Sequence, residues 1–359
     1  MKIVFLDAKC PSPYDSEALR TKALGGTEGS VIRVAQGLSR THTVRVLQHN
    51  RTEALEEHPG LHFLPMSALH QAVQDADHVI FIQKAQHIDV AAKTRARLWL
   101  WLHNYLKDEV AFFWQDHLRY RLGIVCVSRA HADHTRRHLR SLPGYWASLG
   151  SMGRGGLLYQ HNPIDSHLAP DPHTQRDRHK LVFFSSSYKG LEQVIPLFRE
   201  AHARDGRLKL YVADPGYLKN LEPGLLEAPG IVRLGPLPHR VALQHVREAL
   251  CVFYPQRKRP ETFGLVYAEA NAVGTPVLAH RFGSAQEVLC KSNPPLDASD
   301  GEAVVRTLLD WVEHGGPKVQ ANPLFDCTYV VNEWNRFLAA PGPFVRDQDR
   351  AARSAAQTG

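Results

Sequence analysis

Short apolar runs alternate with amphipathic segments through the first half of this chain. Lys2–Leu6 is typical of a buried strand, and Glu28–Leu38 places apolar residues on one face at helical spacing. The pattern predicts further strands at Thr43–Gln48, His78–Gln83, Leu98–His103, Ile124–Ser128 and Leu157–Gln160, and helices at Ser67–Gln74 and Ala130–Leu139. This β-α-β alternation predicts a parallel sheet with helices on both faces.

The alternation stops at a polar segment and then restarts. Residues 166–180 contain proline and lack periodicity, which predicts a linker between a first domain, 1–165, and a second domain, 181–338. Residues 339–359 are small, polar and charged, which predicts a disordered tail. The expected fold class is α/β: two Rossmann-like, doubly wound domains that face each other across a cleft. Ligands of such sheets bind at the carboxyl ends of the strands.

The chain is basic, with 43 Lys and Arg against 36 Asp and Glu. This balance favours anionic partners such as phosphates or anionic lipids, unless the charge serves solubility alone. Nucleic acid is not expected, because the basic residues are not interleaved with aromatic ones. The five scattered cysteines lack a C-x-x-C motif and indicate reduced thiols. Without a signal peptide or a long apolar run, the expected location is cytoplasmic, and peripheral membrane contact stays open.

The chemistry concentrates in one segment, Pro260–Val277, which reads PETFGLVYAEANAVGTPV. Gly264 stands where a helix is expected to begin, and a helix N-terminus offers unpaired N–H groups and partial positive charge to a diphosphate. A carboxylate further along, such as Glu269, can accept hydrogen bonds from both hydroxyls of a ribose. The alternative is that Glu261 and Glu269 are solvated positions of a helix.

The same segment resembles the donor-binding signature of the family 4 retaining glycosyltransferases of GT-B type. The shared features are a Glu, the pair Phe-Gly, a second Glu after seven intervening residues, and Ala-x-Gly-Thr-Pro-Val. The resemblance implies that Glu261 faces the donor sugar and that Glu269 binds the ribose. It also implies that the backbone N–H groups of Gly264 and Leu265 bind the diphosphate.

A second segment, Phe183–Phe198, resembles the Lys-Gly pair that precedes a helix in this family. The resemblance implies that Lys189 neutralises the departing diphosphate. The family often has an arginine a few residues earlier, where this chain has a serine run that includes Ser186, a candidate donor contact. In the basic loop 256–259, Arg257, Lys258 or Arg259 could supply the substitute cation, and Arg259 is the candidate donor contact among them; a plain solvated loop is the alternative.

The first domain contributes two candidates. Gly25 and Gly26 precede a helix and resemble the glycine-rich loop that this family presents to the diphosphate and the acceptor. His103 ends its strand, and the resemblance implies that it contacts the donor sugar near the reacting carbon. The alternative for His103 is a structural histidine at a strand end.

Two metal-like patterns are not expected to bind metal. Asp75-Ala76-Asp77 has D-x-D spacing but precedes its strand, the wrong end for a ligand site. His131 and His134 share a predicted helix without a carboxylate or cysteine partner in register. The sequence therefore predicts no metal site.

The resemblance implies a retaining, metal-independent enzyme that transfers sugar from a nucleoside diphosphate donor to a hydroxyl acceptor, without a cofactor. The acceptor would be a saccharide or a lipid-linked molecule of surface polysaccharide synthesis, reached from the cytoplasm or at the inner face of the membrane. Two alternatives remain: a sugar-nucleotide epimerase or phosphorylase of the same fold, and a non-catalytic nucleotide-sugar-binding protein.

Overall fold

The computed structural model of the protein describes residues 1–106, 115, 117, 119–142, 156–214 and 224–340. Its contacts divide the chain into two compact units. Unit 1 comprises Met1–Pro13, Arg33–Pro163 and Cys327–Gly359, and unit 2 comprises Tyr14–Ile32 and Ile164–Asp326. This division differs from the predicted domains, 1–165 and 181–338, in two places: residues 14–32 belong to unit 2, and the last helix, from Cys327, belongs to unit 1. Most of the predicted tail, from residue 341, lies outside the described residues.

Unit 1 is built on an eight-stranded sheet. Its strands are β1 (Lys2–Asp7), β2 (Thr43–Gln48), β3 (Leu55–His58), β4 (Leu61–Pro65), β5 (His78–Ile82), β6 (Arg97–Trp101), β7 (Gly123–Cys126) and β8 (Leu157–Tyr159). The strand order is β3-β4-β2-β1-β5-β6-β7-β8. The pairs are parallel except β3–β4, which is antiparallel.

The apolar strands of this sheet form the core of unit 1. Its helices include α3 (Leu69–Gln74), α4 (Ile88–Ala91), α5 (Arg129–Ser141) and the last helix, α11 (Cys327–Ala339); α2 (Gly26–Leu38) precedes β2. Trp334 of α11 is buried and packs 4.8 Å from Trp101 between ring centroids. The ring centroid of Phe337, also on α11, lies 4.5 Å from that of Trp99. These aromatic contacts explain why the last helix belongs to unit 1.

Unit 2 contains a five-stranded parallel sheet. Its strands are β9 (Asp177–Phe184), β10 (Lys209–Asp214), β11 (Ile231–Pro236), β12 (Ala249–Tyr254) and β13 (Val277–Ala279), in the order β11-β10-β9-β12-β13. Its helices are α1 (Ser16–Thr21), α6 (Leu191–Arg204), α7 (His239–Glu248), α8 (Leu265–Ala272), α9 (Ala285–Val288) and α10 (Gly301–His314). Because β9 and β12 are parallel neighbours, the loops that follow them emerge at the same edge of the sheet.

The predicted α/β class with parallel sheets is confirmed, with some local differences. The hairpin β3–β4 was not predicted, because β3 reads Leu-Glu-Glu-His and is mostly exposed, without an apolar face. Strand β9 begins inside the predicted linker 166–180, since Asp177 pairs with Ala249 despite its polar surroundings. In the described part of the chain, we find no helix with the length and apolar character needed to cross a membrane.

Candidate active site

Two side chains converge on the carboxylate of Glu261, which is 6 % exposed. The Lys189 ammonium donates to both carboxylate oxygens at 2.9 Å. The Tyr254 hydroxyl, at the end of β12, donates to Oε1 at 2.7 Å. Burial, together with the nearby charge of Glu261, raises the pKa of Tyr254 well above its usual value, so the hydroxyl stays a donor. A buried carboxylate needs such partners, because burying an uncompensated charge is costly.

Lys189 is presented by a tight turn between β9 and α6. Its N–H donates to the Ser186 carbonyl at 2.9 Å. Gly190 follows with a φ of 92°, and a Cβ there would lie 2.6 Å from Cβ of Gln256. Ser186 is buried, and the described contact is structural: its carbonyl closes the turn that aims Lys189. The predicted donor contact of Ser186 stays a prediction.

The backbone around Glu261 is fixed by Ser284, a residue that sequence reasoning missed. Ser284 is fully buried, and its hydroxyl donates to the carbonyls of Glu261 at 3.0 Å and Phe263 at 2.6 Å. Gly283 before it has a φ of 56°, and a Cβ there would lie 2.6 Å from the Glu261 carbonyl oxygen. The available signal was the small pair Gly-Ser between a strand and a helix.

Helix α8 begins as the sequence predicted. Gly264 is its N-cap with a φ of 81°, and Leu265 is its first residue. Seven of its eight residues, from Val266 on, are buried, so the helix is packed on every side and its N-terminus is held in place. Glu269 is buried in this helix, and the His239 ring nitrogen Nε2 lies 2.9 Å from its Oε1. Sequence reasoning did not single out His239, since nothing in the motif points to α7.

Gly26, the second glycine of the predicted pair, lies beside the first residue of α8. Helix α2 begins at Gly26, two residues before the predicted Glu28. A Cβ at Gly26 would lie 2.8 Å from the Leu265 Cδ1 atom. The structure therefore brings Gly26 and Leu265, two of the predicted diphosphate contacts, into direct contact.

The basic loop after β12 is held by one buried side chain. The amide oxygen of Gln256 accepts from the N–H groups of Lys258 and Arg259, each at 3.0 Å. The Lys258 ammonium pairs with Glu192 at 2.6 Å. The Arg259 guanidinium lies 5.2 Å from the ring centroid of Tyr188, which directly precedes Lys189 in the chain. Of these two cations, Lys258 is therefore neutralised by a carboxylate, whereas Arg259 stacks on an aromatic ring.

His103 belongs to unit 1, two residues beyond the end of β6. It is 7 % exposed, and burial lowers its pKa to about 3, so the ring is neutral near pH 7. Its backbone N–H donates to the Gln83 side chain at 3.2 Å, and its ring lies 4.6 Å from Trp101 between centroids. A neutral imidazole can donate a hydrogen bond to a sugar hydroxyl or accept one from it, but it carries no charge.

The two metal-like patterns have structural partners. Asp75 binds Arg45 at 2.6 Å and Lys2 at 2.5 Å, and these bonds lower its pKa to about 2. His131 is fully buried; its Nε2 lies 3.1 Å from the Asn104 carbonyl, and its Nδ1 accepts from the Val127 N–H at 3.3 Å. Within the described ranges, no group of three or more His, Cys, Asp or Glu is arranged to hold a metal ion.

Residues 173–318 match the family model described as glycosyl transferases group 1. This range contains Lys189, Glu261 and Glu269. This part of the chain is similar to group 1 glycosyl transferases. The prediction of a glycosyltransferase is thereby confirmed. A sequence search among curated proteins found no match.

Several solved structures resemble this glycosyltransferase along nearly the whole chain. AviGT4, a glycosyltransferase involved in avilamycin A biosynthesis, has a TM-score of 0.61 at 16 % identity and covers 94 % of this chain and 98 % of its own. Sucrose-phosphate synthase from Thermosynechococcus elongatus has a TM-score of 0.60 at 14 % identity over 100 % of both chains. WaaG, from lipopolysaccharide biosynthesis, has a TM-score of 0.56 at 14 % identity over 99 % of both. At these identities the likeness shows the fold alone, and that fold is GT-B, as predicted.

Proposed function

We propose that this glycosyltransferase moves a sugar from a nucleoside diphosphate donor to a hydroxyl acceptor, with retention at the anomeric carbon and without a metal or cofactor. The observation that carries the proposal is the convergence of Lys189 and Tyr254 on Glu261, just before the N-terminus of α8. A buried carboxylate held by two donors is a rigid acceptor for sugar hydroxyls. Such preorganisation costs no rearrangement when the reaction occurs.

The diphosphate would lie at the N-terminus of α8, against the backbone N–H groups of Gly264 and Leu265. Gly26 carries no side chain, which lets the Leu265 side chain pack directly against it, and its backbone would face the diphosphate beside the start of α8. Lys189 would stabilise the charge that develops on the departing diphosphate. Arg259 is the second cation, in place of the arginine that the serine run lacks. Ser186 would act through the turn that it closes before Lys189, and Gly25 through its carbonyl, which accepts from the Gly29 N–H at 3.1 Å at the start of α2.

The two other donor contacts would be Glu269 on the ribose and His103 on the sugar. Glu269 lies more than one turn along α8 from the diphosphate end, as a ribose requires. His103, neutral near pH 7, would contribute a hydrogen bond rather than a charge. We assign the acceptor, a saccharide or a lipid-linked molecule of surface polysaccharide synthesis, to the first domain. Contact with the inner face of the membrane follows if the acceptor is lipid-linked.

The decisive experiment is a screen of UDP-, GDP- and ADP-sugars by thermal shift, followed by turnover with saccharide and lipid-linked acceptors. We expect one donor to stabilise the protein and to release its nucleoside diphosphate in proportion to glycosylated product. Isomerised sugar nucleotide without acceptor would indicate an epimerase. Sugar phosphate formed from inorganic phosphate would indicate a phosphorylase. Tight binding without turnover would indicate a non-catalytic binding protein, and each of these results contradicts the proposal.

A further inference from the structure

The contact between His239 and Glu269 joins two helices of unit 2. The Nε2 atom of His239 lies 2.9 Å from Oε1 of Glu269. The carboxylate side chain is 5 % exposed and the imidazole is 29 % exposed, so a largely buried carboxylate has a partly exposed histidine beside it. Among the described residues, no second polar group bonds this carboxylate. A carboxylate has about four acceptor positions, so most of its capacity is still available to a ligand.

The chain that leads to His239 is stiff. Strand β11 ends at Pro236, and Pro238 is the N-cap of α7, directly before His239. Proline restricts φ and so lowers the entropy that the loop loses on folding. Gly235, at a register shift near the end of β11, has a positive φ of 69°. His239 therefore reaches Glu269 from the carboxyl end of β11, at the sheet edge where ligands of this fold bind.

We propose that His239 is a positioning residue for the ribose of the donor. Its Nε2–H holds Oε1 of Glu269 in one orientation, so that the remaining lone pairs face the 2′ and 3′ hydroxyls. The proposal rests on the ribose-binding role of Glu269 given above. It predicts that His239 contributes to affinity only when the nucleotide carries those hydroxyls, because its effect passes through the carboxylate that binds them.

The test measures Kd by titration calorimetry on the full chain, with UDP, GDP and ADP and then with the 2′,3′-dideoxy form of the tightest binder. We expect His239→Leu to weaken the ribonucleotide about tenfold, as for the loss of a hydrogen bond to a charged group. The same variant should bind the dideoxy nucleotide as the wild type does. His239→Gln places an amide donor near the position of Nε2 and should restore most of the affinity.

A matched control is His314→Leu. It removes a histidine–carboxylate contact of 3.0 Å between His314 and Asp310, whose side chains are both exposed on α10. It should leave both affinities unchanged. An equal loss for the ribo and dideoxy nucleotides in His239→Leu would overturn the proposal, since a merely structural role acts on both. The proposed function fails separately if no diphosphate binds the wild type, or if Glu269→Gln binds the ribonucleotide with unchanged affinity. If Glu269→Gln weakens binding and His239→Leu does not, only the role of His239 is lost.

Discussion

The ammonium group of Lys189 is 2.9 Å from both carboxylate oxygens of Glu261, although the two residues are 72 positions apart in the chain. The lysine side chain is 30 % exposed and the glutamate side chain 7 %. The cation is therefore the more accessible of the two groups. This pairing links the group that would hold the sugar to the group that would stabilise the leaving diphosphate.

Removing the charge of Lys189 should therefore remove the cation that stabilises the diphosphate and also release the Glu261 carboxylate from its partner. We expect Lys189→Met to lower kcat by roughly a hundredfold or more, the usual scale for a lost preorganised donor. Lys189→Arg keeps the charge and should retain more activity. The control is Lys2→Met, which breaks an exposed pair with Asp75 in unit 1 and should leave kcat unchanged. The rate of product formation at saturating donor gives kcat for each variant. A wild-type kcat in Lys189→Met would contradict the role assigned to Lys189.

The hydroxyl of Tyr254 should matter for turnover more than its ring does. Tyr254→Phe removes the 2.7 Å hydrogen bond to Glu261 and keeps the packing of a fully buried side chain. We expect kcat/KM for the donor to fall roughly ten- to a hundredfold, because a hydrogen bond to a charged acceptor contributes roughly 1.5–3 kcal/mol. Tyr211→Phe removes a hydroxyl on β10, which is separated from β12 by β9, and should change kcat/KM little. Equal kinetics in the two variants would show that Tyr254 only fills space.

Gly264 is constrained twice, by its backbone and by its neighbour. Its φ of 81° is left-handed, and an added Cβ would lie 2.4 Å from Cδ2 of Tyr267. Gly156 also has a positive φ, 63°, with nothing within 4 Å of an added Cβ. Gly156→Ala should therefore cost only the strain of the positive φ, about 1–2 kcal/mol. Gly264→Ala should cost more and should weaken nucleoside diphosphate binding, as measured by urea unfolding and calorimetry; equal losses of stability would contradict the role of Tyr267.

The sequence predicted the elements of the site better than their mutual contacts. Gly264 was recognised because a glycine at the start of an apolar helix is visible in the local sequence. The pairing of Lys189 with Glu261 was not predicted, since it depends on β9 and β12 being neighbours in the sheet. Ser284 and His239 were missed for the same reason: each acts on a motif residue from a distant segment. The packing of residues 14–32 in unit 2 likewise depends on contacts such as Gly26 with Leu265, which no periodicity records.

His78 should make stability depend on pH in unit 1. Burial lowers its pKa to about 4, and Trp99 donates to its Nδ1 at 3.1 Å, so protonation must break this bond. Between pH 6.5 and 4 the unfolded chain binds the proton that the folded chain excludes, so stability falls as the pH falls through this window. The slope from this one group approaches about 1.4 kcal/mol per pH unit. Above pH 6.5 the effect vanishes, because both states are then neutral.

The variant His78→Gln tests this dependence, since its amide oxygen can still accept from Trp99 but cannot be protonated near pH 5. Urea unfolding followed by tryptophan fluorescence should show a smaller loss of stability from pH 7 to pH 5 in this variant than in the wild type. His314→Gln, at an exposed site on α10, should keep the wild-type slope. An unchanged slope in His78→Gln would show that His78 is not the source of the acid sensitivity. The next candidate is then His103, because burial lowers its pKa to about 3.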